Sequence, residues 1–404
     1  GSSRRVLVRA PYRLLRYIKH TPDRVHDVRD RKAEERMRKL LLESVAKHKS
    51  VIVYISMPWD NIMRQRPHHL AEKLSDLGHM IVYMDYEAMS TRKINDNLFI
   101  VAGDWCIDEI SKIEVVKKFF LLPAGYSLPY STVSSIVNRG YELIYEYIDE
   151  LDETISGSLE NQKEVFLNLK KLKPVLIIAS AKKLYDEMVK KLGSPKRVIM
   201  SANAVDMSHF NLDYKWDKNN APEDLKPIID TGKPIVGYYG AIAPWLDYEL
   251  INSITEKRRD LSFVFIGVNY NDGQKKLIHR DNVFMLGAKN YSDLPSYSYW
   301  FDTALIPFQK GEIAKSTSPV KLFEYMAMGL PTVCTFDLRE CYGYEYVYIS
   351  KDTVDFDKNI DLAISMKSKK RTQKALHAQA MRNTWQARAA MIAEALNNIV
   401  EESK

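Results

Sequence analysis

The stretch SPVKLFEYMAMGLPTV, residues 318–333, predicts a helix that ends sharply and is followed by a buried strand. Ser318 suits the N-cap, and Pro319 suits the first helical position, where its missing N–H costs no hydrogen bond. Gly329 suits the left-handed position after the last turn, and Pro331 prevents the helix from resuming. We therefore expect a helix of about three turns, joined by a tight turn to a strand.

Two charged residues share one face of this otherwise apolar helix. Lys321 lies in the first predicted turn, and Glu324 follows three residues later. A helix N-terminus offers free N–H groups and the positive end of a dipole to a phosphate, and a lysine adds a point charge. A carboxylate one turn deeper can accept hydrogen bonds from the two vicinal hydroxyls of a ribose. The pattern fits a nucleoside diphosphate, and the alternative is a surface Lys–Glu pair of negligible energetic worth.

On either side of this helix, the chain alternates between short apolar runs and helical stretches. Apolar strands separated by helices are typical of parallel β-α-β units with sheets covered on both faces. We therefore predict an α/β fold with two tandem doubly wound domains, whose ligand sites face each other across a cleft. The expected strands are 51–57, 80–85, 97–103, 119–124, 142–149, 175–180 and 197–206, then 234–242, 261–267, 282–287, 303–308 and 331–335.

The polar residues 211–233, rich in Asn, Asp, Pro and Lys, predict a linker between the two domains. The expected division is a basic, partly helical extension over 1–50, a first domain over 51–210, the linker, a second domain over 234–368 and a C-terminal helix over 369–404.

A glycine follows the first strand of the second domain, in VGYYGAI, residues 236–242. Gly240 would let the backbone approach a pyrophosphate closely. The chain carries neither G-x-G-x-x-G nor a Walker sequence at this turn, which disfavours dinucleotide dehydrogenases and phosphate-loop kinases.

In the first domain, the loop MPWDNIMRQRPHH, residues 57–69, follows the first strand. Its arginines suit an anionic or sugar-bearing acceptor, its tryptophan supplies a flat apolar face, and its histidines could carry protons. A structural role is the more frequent one for any single histidine. The candidate acceptor-binding residues are Trp59, Arg64, Arg66 and His69, with His68 as a candidate proton carrier.

Two acids, Asp149 and Glu150, follow the strand ELIYEYID and are the leading general-base candidates. Helix capping is an equally good interpretation of either. The Asp-x-Asp sequence at 355–357 lies in a polar stretch, and we expect no metal site there or elsewhere.

Charge is concentrated at the start of the chain. Residues 1–50 hold 15 Lys/Arg and 6 Asp/Glu, whereas the other 354 hold 44 and 46. The basic residues between Arg4 and Lys19 alternate with apolar ones, which suits an anionic membrane surface. A solvated basic arm, or a helix that packs on the core or on another domain, is the alternative. Nucleic acid is disfavoured because no recognition motif accompanies the charge.

The remaining composition is that of a globular protein without a membrane-spanning run or a signal peptide. Its three cysteines have no metal-ligand spacing and predict structural thiols in a reducing, cytoplasmic compartment. The leading Gly-Ser resembles a cloning remnant, which leaves open whether the chain is a fragment of a longer polysaccharide-synthesising protein with other domains.

Taken together, the motifs resemble those of bacterial GT-B glycosyltransferases related to family 4. The resemblance rests on STSPVKLFEYMAMGLPTV, WDNIMRQRPHHLAEKLSDLGH, ANAVDMSHF, VGYYGAIAPWLDYELI, FVFIG, FDTALIPF and NTWQARAAMIAEAL, in the family's order from about residue 51 to 402. It implies two Rossmann-like domains, with a nucleotide-sugar donor held mainly by the second and an acceptor mainly by the first. It also implies these donor-site roles: Glu324 on the ribose, Lys321 and the Ser318 turn on the diphosphate, Gly240 and Ala241 against the phosphates, and the turn containing Tyr291 near the base.

The chain departs from the family pattern at two places. Ser316 stands where the family usually has a second glutamate, and AIAPWLD stands where an Arg and a Lys are usual. Diphosphate binding is therefore expected to depend more on Lys321 and backbone N–H groups. Retention of anomeric configuration, in which the departing phosphate guides the attack, and inversion, which needs a protein base, both stay open.

The function that these features predict is transfer of a sugar from a nucleotide-diphosphate sugar, by family default a UDP-sugar, without a metal or other cofactor. The acceptor would be a lipid-linked saccharide, used in surface-polysaccharide assembly at the cytoplasmic face of the inner membrane. Two alternatives remain: a nucleotide-sugar epimerase, and a catalytically silent saccharide-binding or scaffold module of a larger protein.

Overall fold

The computed structural model describes residues 28–156, 158–212 and 217–402, which form two compact units. Of the described residues, the first unit contains those up to 61, residues 65–201 and those from 389 onward. The second unit contains residues 62–64 and 202–388. The basic segment 4–19, for which we expect membrane binding, lies outside the described residues.

The first unit is built on an eight-stranded sheet with the order β3-β4-β2-β1-β5-β6-β7-β8. All neighbouring strands are parallel except β3, which pairs antiparallel with β4 at the edge. The strands are β1 (Ser50–Ile55), β2 (Met80–Asp85), β3 (Arg92–Asn95), β4 (Leu98–Ala102), β5 (Lys117–Pro123), β6 (Glu142–Tyr147), β7 (Leu176–Ala179) and β8 (Val198–Met200).

Helices cover both faces of this sheet, because its central strands are apolar on both sides. Alternate residues such as Val51 and Val53 pack into a core with helices on one face, while Ile52 and Tyr54 are buried on the other. The helices are α1 (Val28–Val45), α2 (Arg66–Asp76), α3 (Trp105–Ser111), α4 (Tyr130–Asn138), α5 (Glu153–Ser156), α6 (Glu160–Leu167), α7 (Leu169–Leu172) and α8 (Lys182–Leu192).

The second unit contains a six-stranded, all-parallel sheet with the order β11-β10-β9-β12-β13-β14. This is the doubly wound order: the first three strands are added toward one edge of the sheet, and the next three are added toward the other edge. The strands are β9 (Ile235–Tyr239), β10 (Ser262–Ile266), β11 (Val283–Met285), β12 (Thr303–Ile306), β13 (Thr332–Thr335) and β14 (Val347–Ser350).

The helices of the later part of the chain follow the same alternation. They are α9 (Lys226–Ile229), α10 (Tyr248–Lys257), α11 (Leu294–Ser298), α12 (Glu312–Ser316), α13 (Val320–Ala327), α14 (Thr353–Lys367), α15 (Lys370–Arg382) and α16 (Trp385–Glu401). The α/β class and the two Rossmann-like sheets are thus as predicted.

Several element and unit boundaries differ from the expected ones. The second unit begins at residue 202 rather than after a linker, and the segment 211–233 contains α9, whose Ile228 is buried in that unit's core. The expected helix over 369–404 is two helices, α15 and α16, and residues from 389 belong to the first unit. Strands β3 and β14 were not expected, because β3 is polar and β14 follows a run of turns.

Helix α13 ends as predicted but begins differently. Gly329 has φ +61°, and the N–H of Leu330 donates to the carbonyl of Tyr325 at 2.9 Å, which closes the last turn. Pro319, not Ser318, occupies the N-cap.

Candidate functional site

Two glycines bring the ends of β9 and β10 into close contact. The N–H of Gly240 donates to the carbonyl of Ile266 at 2.8 Å, and a Cβ on Gly267 would lie 1.8 Å from the Gly240 carbonyl oxygen. Both glycines also have positive φ, +136° at Gly240 and +153° at Gly267. A Cβ at Gly267 would overlap the backbone, and the positive φ at both positions disfavours other residues, so a ligand can approach the backbone closely at these strand ends.

The side chain of Lys321 lies directly against Gly240. A Cβ on Gly240 would be 2.8 Å from Lys321 Cε and 3.0 Å from its Nζ. The ammonium also lies 5.2 Å from the ring centroid of Tyr238 and 5.3 Å from that of Phe308, a cation–π arrangement on two sides. Burial lowers the pKa of Lys321 to about 8, against the opposing effect of Glu324. Lys321 is therefore mostly charged at neutral pH, and its position is fixed by aromatic rings.

Glu324 is a buried carboxyl one turn deeper in α13, with only 4% of its surface exposed. Burial raises its pKa to about 7, while the nearby Tyr239 hydroxyl and the charge of Lys321 oppose the shift. A buried carboxyl whose pKa lies near neutral pH destabilises the fold when it ionises, and such groups are more frequent at functional sites than elsewhere.

Ser318 does not cap α13 but ties the turn before it to another segment. Its hydroxyl accepts the N–H of Asn203 at 3.1 Å, and its carbonyl accepts the Asn203 side-chain amide at 2.6 Å. The ANAVDMSHF segment, in which Asn203 lies, therefore holds the entry to α13. Asn203 was missed as a site-forming residue because no local pattern links it to Ser318, 115 positions away.

The two remaining donor-site candidates, Ala241 and Tyr291, make local contacts within the second unit. The hydroxyl of Tyr238 donates to the carbonyl of Ala241 at 3.0 Å, which fixes the turn after Gly240. The ring of Tyr291 stacks on His209 with centroids 4.5 Å apart, and His209 Nε2 contacts the Tyr291 carbonyl at 2.8 Å. Tyr291 is 9% exposed.

Ser316, which replaces the family's second glutamate, is completely buried. Its hydroxyl donates within α12 to the carbonyls of Glu312 at 2.8 Å and Ile313 at 3.2 Å. Ser316 therefore has a structural role within α12, and its position carries no second carboxylate.

In the first unit, Arg66 forms a buried ion pair at the ends of the central strands. Its Nε lies 2.8 Å from Oε1 of Glu146, which is 1% exposed, and Glu146 also accepts the hydroxyl of Tyr54 at 2.7 Å. Arg66 additionally donates to Ser201 Oγ at 3.3 Å. Glu146 was not predicted, because an acid within an apolar strand gives no local signal of its partner.

The structure places the other acceptor-loop candidates in packed positions. Trp59 is 8% exposed and packs edge-on against Tyr83 and His68, with ring centroids 5.0 and 5.5 Å away. His68 takes part in the N-terminal capping of α2, where its Nδ1 accepts the N–H of Gln65 at 3.1 Å and its Nε2 contacts the Pro58 carbonyl at 3.0 Å.

The remaining two candidates of that loop fall into different units. His69 is 1% exposed within α2. Arg64 lies in the segment 62–64, which belongs to the second unit. The loop therefore does not form one continuous set of exposed contact groups.

The two candidate bases after β6 have different surroundings. Glu150 forms an ion pair with Lys183 at 2.6 Å. Burial raises the pKa of Asp149 to about 6, and the charge of Arg66 opposes that shift. Of these two acids, Asp149 is therefore the one whose raised pKa suits proton transfer near neutral pH.

A cavity of about 390 Å³ lies elsewhere in the first unit, between the sheet and helices α3 and α4. Its floor is formed by Ile55, Met84 and Phe120, and its rim includes Tyr86 and Arg139. None of the candidate site residues lines it.

Within the described ranges, no group of three or more His, Cys, Asp or Glu residues is arranged to hold a metal ion. Asp355 and Asp357 lie in the first turns of α14, where Asp357 pairs with Lys257 and Arg258. No helix in the described part of the chain is long and apolar enough to cross a membrane. The three cysteines are buried and free.

Comparison with known proteins links this geometry to a family. Residues 233–360 match the family model described as Glycosyl transferases group 1, and this range contains Gly240, Gly267, Lys321 and Glu324. The Bacillus subtilis protein TuaH, whose name describes a teichuronic acid biosynthesis glycosyltransferase, is 26% identical over 238 residues. That match covers 55% of this chain and 58% of TuaH, so the chain spans little more than half of this relative.

Solved structures of glycosyltransferases share the fold over most of the chain. HepE from Anabaena, in complex with UDP and glucose, has a TM-score of 0.62 at 12% identity, covering 87% of this chain and 100% of its own. Sucrose-phosphate synthase from Thermosynechococcus elongatus also has a TM-score of 0.62, at 11% identity and with the same coverage. Residues 233–360 are thus similar to the glycosyl transferases group 1 family, in a chain whose fold is that of the GT-B glycosyltransferases.

Proposed function

We propose that this protein transfers a sugar from a nucleotide-diphosphate sugar, with UDP as the nucleotide, to a saccharide acceptor in surface-polysaccharide assembly. The observation that carries the proposal is the group formed by Gly240, Lys321 and Glu324. An open backbone, a fixed cation and a buried carboxyl meet there at the strand ends of a group 1 domain. The name of TuaH and the UDP complex of HepE support this donor and this process.

Each of the three residues has a distinct role toward the donor. The Lys321 ammonium, together with free N–H groups at the start of α13, binds the diphosphate. Gly240 lets the backbone approach the phosphates and leaves room for the lysine. Glu324, once ionised, accepts hydrogen bonds from the two ribose hydroxyls. Because Lys321 and the helix supply positive charge, the reaction is proposed to be metal-independent.

The first domain is proposed to bind the acceptor, and Asp149 is the favoured base if the reaction inverts configuration. Its raised pKa suits proton abstraction, whereas Glu150 is paired with a lysine and both ring nitrogens of His68 have contacts. A retaining route would need no protein base, and Asp149 would then serve only to bind the acceptor. The two routes predict different effects of Asp149→Asn: loss of transfer in the first case, weaker acceptor binding in the second.

The acceptor is proposed to be lipid-linked, with the protein at the cytoplasmic face of the membrane and residues 4–19 in contact with anionic lipid. Their alternation of basic and apolar side chains supports this. An epimerase would convert the donor without any acceptor, and a scaffold would do neither.

A transfer assay separates these possibilities. The protein is incubated with radiolabelled UDP-glucose, UDP-N-acetylglucosamine or UDP-glucuronic acid and a lipid extract of bacterial membranes. We expect label from one donor to enter the lipid-soluble fraction, and Lys321→Met to abolish the transfer. Conversion of a donor into another UDP-sugar without the extract would establish the epimerase, and absence of both reactions would favour the scaffold.

A further inference from the structure

A second strongly basic segment lies within the first unit, at residues 163–197. It holds ten Lys/Arg and three Asp/Glu, whereas the rest of the chain after residue 50 holds 34 and 43. Beyond the first 50 residues, the protein therefore has an acidic background in which this segment is the exception. Such a local excess indicates attraction to an anionic partner.

The structure brings the C-terminal ends of two helices of this segment together and places a third next to one of them. Lys191 Nζ, in the last turn of α8, lies 4.3 Å from the ring centroid of Phe166 at the end of α6. The same ring contacts Tyr147, whose hydroxyl donates to Glu187 of α8 at 3.0 Å. Helix α7 follows α6 directly and packs against it. The C-terminal ends of α6 and α8 are thus neighbours, and α7 begins at Leu169, directly after the end of α6.

A leucine protrudes among the lysines of these helix ends. Leu167, the last residue of α6, is 72% exposed, and Lys163 lies one turn earlier on the same helix face. Within the described residues, no ion pair involves the lysines near these helix ends. We define the lysine patch as Leu167 together with Lys163, Lys170, Lys171, Lys173, Lys190 and Lys191.

We infer that the lysine patch docks the first unit on an anionic lipid surface, in addition to any contact made by residues 4–19. A protruding leucine that shares a helix face with Lys163 and lies near other lysine-bearing helix ends is suited to the boundary between headgroups and acyl chains. All cations of the patch are lysines, which attract a diffuse anionic surface as point charges, whereas fixed phosphates are typically recognised by arginine forks. The neighbouring Lys182 and Lys183 are paired with Asp186 and Glu150, so the unpaired lysines of α8 are those of its last turn.

Helix-end electrostatics explain only part of this arrangement. Lys170, Lys171, Lys190 and Lys191 lie in last turns, where cations interact favourably with helix dipoles. That effect accounts neither for Lys163, which lies inside α6, nor for the exposure of Leu167. The inference rests on the proposed function only in that a lipid-linked acceptor requires an enzyme at the membrane.

Vesicle sedimentation with the full chain tests the inference. We expect binding to vesicles of 70% phosphatidylcholine and 30% phosphatidylglycerol, and none to phosphatidylcholine alone. Lys170→Glu/Lys171→Glu should weaken binding at least about tenfold and Leu167→Ser severalfold, because the first reverses two surface charges and the second removes the apolar anchor. In wild type, 0.5 M salt should weaken vesicle binding in the same way as the charge-reversal variant, because salt screens the charge-dependent part of the attraction.

Matched controls lie in the second unit. Lys369→Glu/Lys370→Glu makes the same charge change at two exposed lysines, and Val354→Ser removes a valine that is 61% exposed. The inference is overturned if the patch variants bind like wild type, if the controls lose binding equally, or if a DNA duplex displaces the vesicles stoichiometrically. UDP titration of the same samples keeps the two proposals apart: a variant that binds UDP normally but not vesicles has lost only the docking surface.

Discussion

At the residue scale, the candidate donor site combines groups that are unfavourable for folding. Glu324 is buried and Lys321 half-buried, with opposite shifts in pKa, and Gly240 has a backbone conformation that other residues rarely adopt. These three were identified from the sequence because helix punctuation and charge give local signals. Tyr238 and Phe308, which fix the lysine, were not, because an aromatic residue in an apolar strand cannot be distinguished from ordinary core.

The shifted pKa of Glu324 predicts that Glu324→Gln stabilises the protein above neutral pH. The folded pKa of about 7 lies above the ordinary value of 4.5, so the native state favours the protonated carboxyl. The stabilising effect of that proton is complete below pH 4.5 and is lost as the pH rises through 7. We expect Glu324→Gln to raise the free energy of unfolding by about 1–3 kcal/mol at pH 8 and little at pH 4.5.

Urea unfolding at the two pH values measures this difference, with Glu249→Gln, an exposed carboxyl in α10, as the control. An equal effect of Glu324→Gln at both pH values would mean that the carboxyl is not buried as described.

Gly240→Ala should destabilise the protein and weaken nucleotide binding together. The alanine would have to keep the positive φ of the glycine, and its methyl group would lie 2.8 Å from Lys321 Cε. Gly311→Ala is the matched control, since its φ of +149° is similar and its Cβ would have no neighbour within 4 Å. We expect backbone strain of about 1–3 kcal/mol in both variants, and weaker UDP binding only in Gly240→Ala. Unchanged UDP affinity in Gly240→Ala would contradict the proposed role of Lys321 in binding the nucleotide.

At the scale of elements, runs of buried apolar residues made the central strands predictable, and helix caps made α13 predictable at its end. The edge strand β3 escaped prediction because its residues are polar and its pairing with β4 depends on tertiary contact. The same limit applies to the ion pair of Arg66, a candidate acceptor-binding residue. Its partner Glu146 lies 80 positions away, and only the fold brings the two together.

The Arg66–Glu146 pair joins α2 to β6 and should matter strongly for stability. Arg66→Met leaves the Glu146 carboxyl buried without its cation, which should cost about 3–5 kcal/mol, whereas Arg66→Met/Glu146→Leu should recover most of that loss. Arg92→Met, which breaks an exposed pair with Asp60, should cost less than about 1 kcal/mol. Urea unfolding distinguishes the three, and a double variant as unstable as Arg66→Met would show that the ion pair is not the cause.

At the scale of the whole molecule, the alternation of strands and helices was sufficient to predict two doubly wound sheets. It could not predict how the chain is divided between the units. Residues 62–64 and 389–402 belong to units other than those of their neighbours in the sequence, and local composition contains no signal for such crossings. The supposed linker over 211–233 was inferred from polar composition, although Leu225 and Ile228 within it are core residues.

The central claim is that α13 and the end of β9 bind a nucleoside diphosphate. Calorimetric titration with UDP, GDP, dTDP and ADP, without added metal, tests it most directly on wild type and on Glu324→Gln. We predict that UDP binds at micromolar strength and that the substitution weakens it by about 1–3 kcal/mol, as for a lost charged hydrogen bond. Absence of binding by all four nucleotides, or equal UDP affinity in both proteins, would contradict the claim and leave Glu324 with a structural role only.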